Sequence, residues 1–211
     1  MSASNKSKDR DYSSPSYWDE RYATVEECFD WYQDYDNLKP FLLPYLRNED
    51  IEIFIPGCGN STLGASLYDN NYKNIVNVDT SEVVVQQMRD LYTEKEEMEF
   101  TCMDARDMAN SIPDSCFDVI IDKALYDVLL CSSQGLENVE ELTREMFRIL
   151  KKGAVLLIVS HAPPNNRLPQ LTRNGLFTVD YTTLPRPSLN KLSAETEENP
   201  YHYLYACKKV T

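Results

Sequence analysis

The sequence predicts an α/β chain: a mostly parallel sheet with helices on both faces, closed by an antiparallel pair of strands at its C-terminal end. Three observations carry this expectation. Short β-rich runs alternate with helical patterns from Ile51 onward, and such alternation builds βαβ units with right-handed crossovers. One run, Ala154–Ser160 (AVLLIVS), is apolar almost throughout, like a strand buried on both faces. Two further strand-like runs, Leu176–Leu184 and Tyr201–Lys209, have no clear helix between them.

The elements follow in order. Met1–Pro15 is rich in Ser, Lys and Asp without an apolar core, so it reads as a disordered tail and not as a secretory signal. Residues 16–211 are then expected to form one domain. Cys28–Leu46 carries Phe29, Trp31, Tyr32, Tyr35, Leu38, Phe41, Leu42 and Tyr45, which predicts an aromatic segment running into a helix that packs on the sheet. The first strand is Ile51–Ile55, ending at Pro56-Gly57, and a helix over Ser61–Asp69 follows it. Asn74–Asp79 is the second strand and ends in an acid. In Ser81–Thr93, Val84, Met88, Leu91 and Tyr92 form one apolar helical face. Met98–Met103 and Phe117–Asp122 are the third and fourth strands. Val139, Leu142, Met146 and Ile149 give Leu136–Lys151 the same helical face, and Lys151-Lys152 with Gly153 are expected to stop it. Pro185–Pro200 is a polar loop between the last two strands.

Composition excludes several function classes. Lys+Arg 21 against Asp+Glu 34 leaves a net charge of −13, which opposes general nucleic-acid binding and binding to anionic membranes, and suits a basic protein partner. No apolar run approaches the ~20 residues of a membrane helix. The six cysteines contain no C-x-x-C pair, so reduced thiols in a cytoplasmic protein are expected rather than zinc or a disulfide framework. His161 and His202 are the only histidines, which leaves little from which to build a metal centre or a hydrolase triad.

The chemistry-bearing residues cluster at strand ends. After the first strand comes Pro56-Gly57-Cys58-Gly59-Asn60-Ser61, where two glycines allow a sharp turn and the close approach of a ligand. An ordinary strand–helix turn has the same look. Asp79, at the end of the second strand, can accept both hydroxyls of a ribose or else cap the next helix. Thr62 stands where a dinucleotide fingerprint has its third glycine, and Asp104 after the third strand can accept from an adenine amino group or be a plain loop acid. The set favours S-adenosylmethionine over NAD.

GCGNS (Gly57–Ser61), VDTSEVVV (Val78–Val85), MDARDM (Met103–Met108), SCFDVIIDKALYD (Ser115–Asp127) and REMFRILKKGA (Arg144–Ala154) together resemble class I, seven-stranded methyltransferases with a Rossmann-like sheet. SYWDERY (Ser16–Tyr22) and FDWYQDY (Phe29–Tyr35) are similar to the methyltransferase-like-13 / elongation-factor-1A lysine methyltransferase group, which includes the domain associated with endothelin-converting enzyme 2. The resemblance spans Ser16 to Lys209. It implies that Gly57 and Gly59 line the methionine and ribose region, that Asp79 takes the ribose hydroxyls with Thr80 beside it, and that Asp104 and Ala105 flank the adenine. Trp18, Arg21 and Trp31 would close over the cofactor, Arg21 pairing with its carboxylate, and Lys123 would sit beside Asp122 near the methyl group. The implied reaction is methylation of a lysine on a protein such as a translation elongation factor, by a monomer. A small-molecule methyltransferase and a cofactor-binding module without catalysis are the alternatives. The family commonly has D/E-K-G-T where this chain has Asp122-Lys123-Ala124-Leu125, and Pro56 before the glycines is unusual.

A lysine acceptor must lose a proton, and Asp122, Tyr126 and Asp127 are the expected catalytic groups, Tyr126 lying four residues past Asp122. Asp122, Asp127 and Glu195–Glu198 are expected to give the pocket a negative field. The aromatic segment Tyr12–Tyr35 is expected to act as a lid ordered by the cofactor.

Overall fold

The computed structural model describes residues 12, 14–25, 27–187 and 199–210. Most of the tail and of the loop before the last strand, including Glu195–Glu198, lies outside the described residues. Pro15 does not belong to a tail: it opens α1 (Pro15–Tyr22), where its fixed φ suits the first helical position. α2 (Tyr35–Leu42) begins on Asp34, whose side chain accepts the Asn37 N–H at 2.9 Å.

Then the expected alternation runs: β1 (Ile53–Pro56), α3 (Leu63–Asp69), β2 (Ile75–Asp79), α4 (Glu82–Leu91), β3 (Met98–Cys102), β4 (Phe117–Lys123), α5 (Leu125–Leu130), α6 (Gly135–Ile149), β5 (Leu150–Ser160), α7 (Pro164–Leu171), β6 (Phe177–Pro185) and β7 (Tyr201–Lys209). The seven strands are ordered β3-β2-β1-β4-β5-β7-β6. β7 runs antiparallel to both β5 and β6, so the C-terminal pair closes the sheet as expected. The chain departs from β1 toward β2 on one side and toward β4 on the other. The carboxyl ends of β1 and β4 therefore flank the crevice where open α/β sheets bind ligands.

The two-residue period of each strand divides the apolar side chains between two cores. Ile53, Ile55, Val119, Ile121, Leu157 and Val159 face one core with Leu38 and Leu42 of α2 and Val84 of α4. Phe54, Ile120, Leu156 and Ile158 face the other with Leu142 and Met146 of α6.

One stop signal acts differently from its reading. α6 ends at Ile149, because Leu150 is already extended, and Lys151, Lys152 and Gly153 belong to β5. Gly153, at φ +73°, lies in a bulge where the five steps from Leu150 to Val155 span two steps of β4, from Phe117 to Val119. The helix passes into the strand without a loop, and Lys151 turns back to Asp118 at 2.7 Å. α1, α5 and α7 had no clear helical signal. α5 is only six residues long, and α7 contains Pro169.

Candidate active site

The turn after β1 is built for close approach. Gly57 and Gly59 adopt φ of +59° and +51°, in the left-handed region that glycine enters without strain. A Cβ at Gly57 would stand 3.0 Å from the Leu125 side chain, and one at Gly59 would stand 2.5 Å from the Tyr22 hydroxyl. The Asp79 carboxylate, 8 % exposed, faces this turn from the end of β2. One of its oxygens accepts the Gly59 N–H at 2.9 Å and the other the Ser81 N–H at 3.0 Å. Burial raises its pKa above the usual carboxylate range, against the pull of those backbone N–H groups. Each oxygen keeps a lone pair for a ligand hydroxyl. Ser81 caps α4 instead, its hydroxyl oxygen accepting from Val84 N–H at 3.3 Å.

Around this turn opens a cleft of about 930 Å³, measured out to solvent, at the crevice between β1 and β4. Gly57, Gly59, Asp79, Thr80, Asp104, Ala105, Lys123, Trp18 and Trp31 all line it. Asp104 is gripped by Arg106, whose Nη2 lies at 2.6 Å and whose backbone N–H donates at 2.9 Å. Burial raises the Asp104 pKa, but these bonds outweigh it and the net shift is downward. Arg106 also reaches Asn138 at 2.6 Å, which ties the loop after β3 to α6.

The aromatic segment straps over the cleft through polar anchors that the sequence did not reveal. Asp30 accepts from Ser61 and Thr62 of the glycine turn, and Lys123 Nζ donates to it at 2.8 Å. Lys123 is thus held by the strap, donating also to Trp31 O at 3.3 Å. Asp19 of α1 accepts from Ser81 Oγ at 2.6 Å. Arg21 does not line the cleft. Its guanidinium lies between the rings of Trp18 and Trp31, 6.0 and 5.8 Å from their centroids.

The three residues expected to handle the acceptor's proton do not line the cleft, and each is committed to a partner within the fold. Asp122 is 1 % exposed, and its carboxylate accepts the Tyr126 N–H at 3.1 Å, at the start of α5. The spacing of four does join them, but through the backbone. Tyr126 is buried in the core beneath α6, with Arg167 4.7 Å over its ring. Asp127 is bound by Ser160 Oγ at 2.7 Å, by Tyr32 Oη at 2.9 Å, by His161 and by Arg167. Neither Asp122 nor Asp127 therefore presents a free surface charge to an incoming ligand.

Burial pushes Asp122 up to about 7, with the Asp127 charge adding to it. A carboxylate raised in the folded state destabilises that state above its folded pKa, and the penalty fades as pH falls from 7 toward 4. Asp122→Asn keeps an oxygen for the Tyr126 N–H and loses the charge. It should be more stable than the parent by about 4 kcal/mol at pH 8, a gain that shrinks to about 1 kcal/mol at pH 4.5. Urea midpoints at the two pH values measure this, and equal midpoints at pH 8 would contradict it.

Among the described residues no group of three or more His, Cys, Asp or Glu side chains could hold a metal ion. All six cysteines are unpaired. No described helix is long and apolar enough to cross a membrane.

Residues 49–205 match the profile of a methyltransferase domain family. The eEF1A lysine and N-terminal methyltransferase of Xenopus laevis is 34 % identical over 157 residues, which cover 72 % of this chain and 22 % of that protein. EEF1A lysine methyltransferase 4 of Mus musculus is 31 % identical over 171 residues, covering 76 % of this chain and 66 % of that protein. The chain thus spans about a fifth of the first relative and about two thirds of the second. Among solved structures, phosphoethanolamine N-methyltransferase 2 of Haemonchus contortus, in complex with phosphomonomethylethanolamine and S-adenosylhomocysteine, superposes with a TM-score of 0.67 at 13 % identity. That match covers 97 % of this chain and 60 % of the other.

Proposed function

Because the chain belongs to the methyltransferase domain family, we propose that residues 16–211 form one catalytic unit that uses S-adenosylmethionine to methylate a lysine of a translation elongation factor. The observation that carries the cofactor reading is the pairing of the Gly57–Gly59 turn, where a Cβ would intrude, with a buried Asp79 that retains lone pairs toward the cleft. The lysine reading is supported by relatives whose names specify eEF1A lysine. A cytoplasmic setting accords with unpaired cysteines and with that substrate.

When bound, S-adenosylmethionine supplies a sulfonium methyl already activated for displacement. Asp79 and Thr80 would hold its ribose, Asp104 and Ala105 its adenine, and the glycine turn its amino-acid part. Trp18 and Trp31 would cover it, with Arg21 clamped between their rings as a structural wedge rather than a carboxylate partner. Through Asp30, Lys123 keeps the strap shut over the cleft and so excludes water. Phe29, 51 % exposed, and Trp31, 37 % exposed, form the lip that an acceptor would meet.

The test is transfer of labelled methyl to purified elongation factor 1A and to protein-free metabolite extracts. Labelled elongation factor supports the reading, and label confined to metabolites moves the function to a small-molecule acceptor. Steering of a basic acceptor by the −13 charge should make kcat/KM fall as salt rises from about 10 to 150 mM, where the Debye length shrinks from about 30 to 8 Å. A flat response removes the steering.

A further inference from the structure

His161, one of only two histidines, stands just past the end of β5 in a built polar site. Its Nδ1 lies 2.7 Å from Asp127 Oδ2, and its own backbone N–H donates to the same oxygen at 3.0 Å. Tyr32 Oη donates to that oxygen at 2.9 Å and lies 3.0 Å from Nδ1. The other oxygen accepts from Ser160 Oγ and Arg167. A carboxylate that accepts from all sides fixes the proton of a neutral imidazole on Nδ1, leaving Nε2 with a lone pair. No described residue hydrogen-bonds Nε2, and the side chain is 54 % exposed.

His161 does not itself line the cleft, but its ring partner Tyr32 packs on Trp31, which does. Val159 pairs with Lys123, a lining residue of the cleft, and its carbonyl accepts the Ala124 N–H at 3.2 Å. His161 lies two residues past Val159, immediately beyond the end of β5 at Ser160 and so next to the end of β4 that carries Lys123. Tyr32 follows the lip residue Trp31 and takes φ +66°, a left-handed conformation unusual for an aromatic residue and the kind of strain that collects at functional sites.

We propose that His161 Nε2 takes the proton from the methyl-accepting lysine, with Asp127 and Tyr32 as positioning residues that hold the imbalance of charge and the ring orientation. The proposal rests on the lysine reading above and deepens it. In the step, one N–H bond of the substrate ammonium breaks and an N–H bond forms at Nε2. The positive charge moves to an imidazolium that Asp127 stabilises, and the exposed edge later returns the proton to solvent. The charged and titratable groups around the ring are Asp127 of α5, Tyr32 of the strap, Arg167 of α7 and Asp122 of β4, with the His202 ring of β7 4.9 Å from that of Tyr32.

The experiment compares the full chain with His161→Gln on elongation factor 1A. At pH 7 the variant should lose about 10²- to 10⁴-fold in kcat, with calorimetric affinity for S-adenosylmethionine unchanged. Its deficit should shrink as pH rises from 7 to 9.5, because the lysine then deprotonates in solution; a merely structural defect would not recover. Independently of activity, ¹⁵N shifts of the cofactor-free protein at pH 8.5, simplified by two histidines, should show His161 as the Nδ1–H tautomer. An Nε2–H tautomer, or equal activity of parent and variant at every pH, overturns the proposal alone. A parent protein that methylates no lysine overturns the functional reading, and the proton-acceptor role falls with it.

Discussion

Replacing Arg167 by methionine should lower the unfolding free energy by about 3–5 kcal/mol at pH 7.5, the cost typical of leaving a buried charge without its partner. Arg167 and Asp127 are each 3 % exposed at their side chains, and they join α7 to α5 across the end of β5. Methionine retains much of the volume over the Tyr126 ring, so the loss reports the charge more than a cavity. Asp127 is held at about 2 despite the opposing effect of burial, by the His161 hydrogen bond, the Arg167 charge and Ser160. A carboxylate lowered in the folded state stabilises that state above about pH 4, and the contribution is lost as pH falls toward 2. The parent protein should therefore lose this stability in acid, and Arg167→Met should lose less, its carboxylate having less to give up. Urea denaturation at pH 7.5 and pH 3 measures both. A loss under 1 kcal/mol at pH 7.5 would mean that the remaining donors satisfy Asp127 unaided.

Asp79→Ala should weaken S-adenosylmethionine binding by about 10- to 150-fold. A charge-assisted hydrogen bond contributes roughly 1.5–3 kcal/mol, and the ribose hydroxyls would lose their acceptor. The same change frees the Gly59 N–H, so the turn loses an anchor along with the ligand contact. Calorimetry gives the affinity, and the circular dichroism spectrum should be unaltered. Unchanged affinity removes Asp79 from the site, and NAD should bind neither protein.

The part of the cleft built by the glycine turn, Asp79 and Asp104 was legible because its signals are local. The end of β2 at Asp79, the two glycines and Asp104 each follow a strand whose apolar period can be read within six residues. Topology then brings those strand ends together by rule. The polar cluster around Asp127 was not legible in the same way. Asp127 was singled out, but His161, Arg167 and Ser160 lie 33–40 residues away and Tyr32 lies 95 residues away. Asp122 and Tyr126 looked available because polar side chains beside a strand end often are, and only the burial of α5 committed them inward. Likewise Asp30 looked like one more acid in an aromatic run. Its role comes from Lys123, 93 residues on.

By itself the sequence determined the strand and most of the helix positions, the antiparallel closure and the acid that ends β2 beside the glycine turn. Periodicity and backbone-permissive glycines act within a few residues and need no knowledge of neighbours. Only the tertiary structure decided which charges are paired, which tyrosine meets which carboxylate and which histidine keeps a free nitrogen. Hydrogen bonds of that kind exist only where the sheet order has set distant segments side by side and removed the water that would otherwise satisfy each group separately.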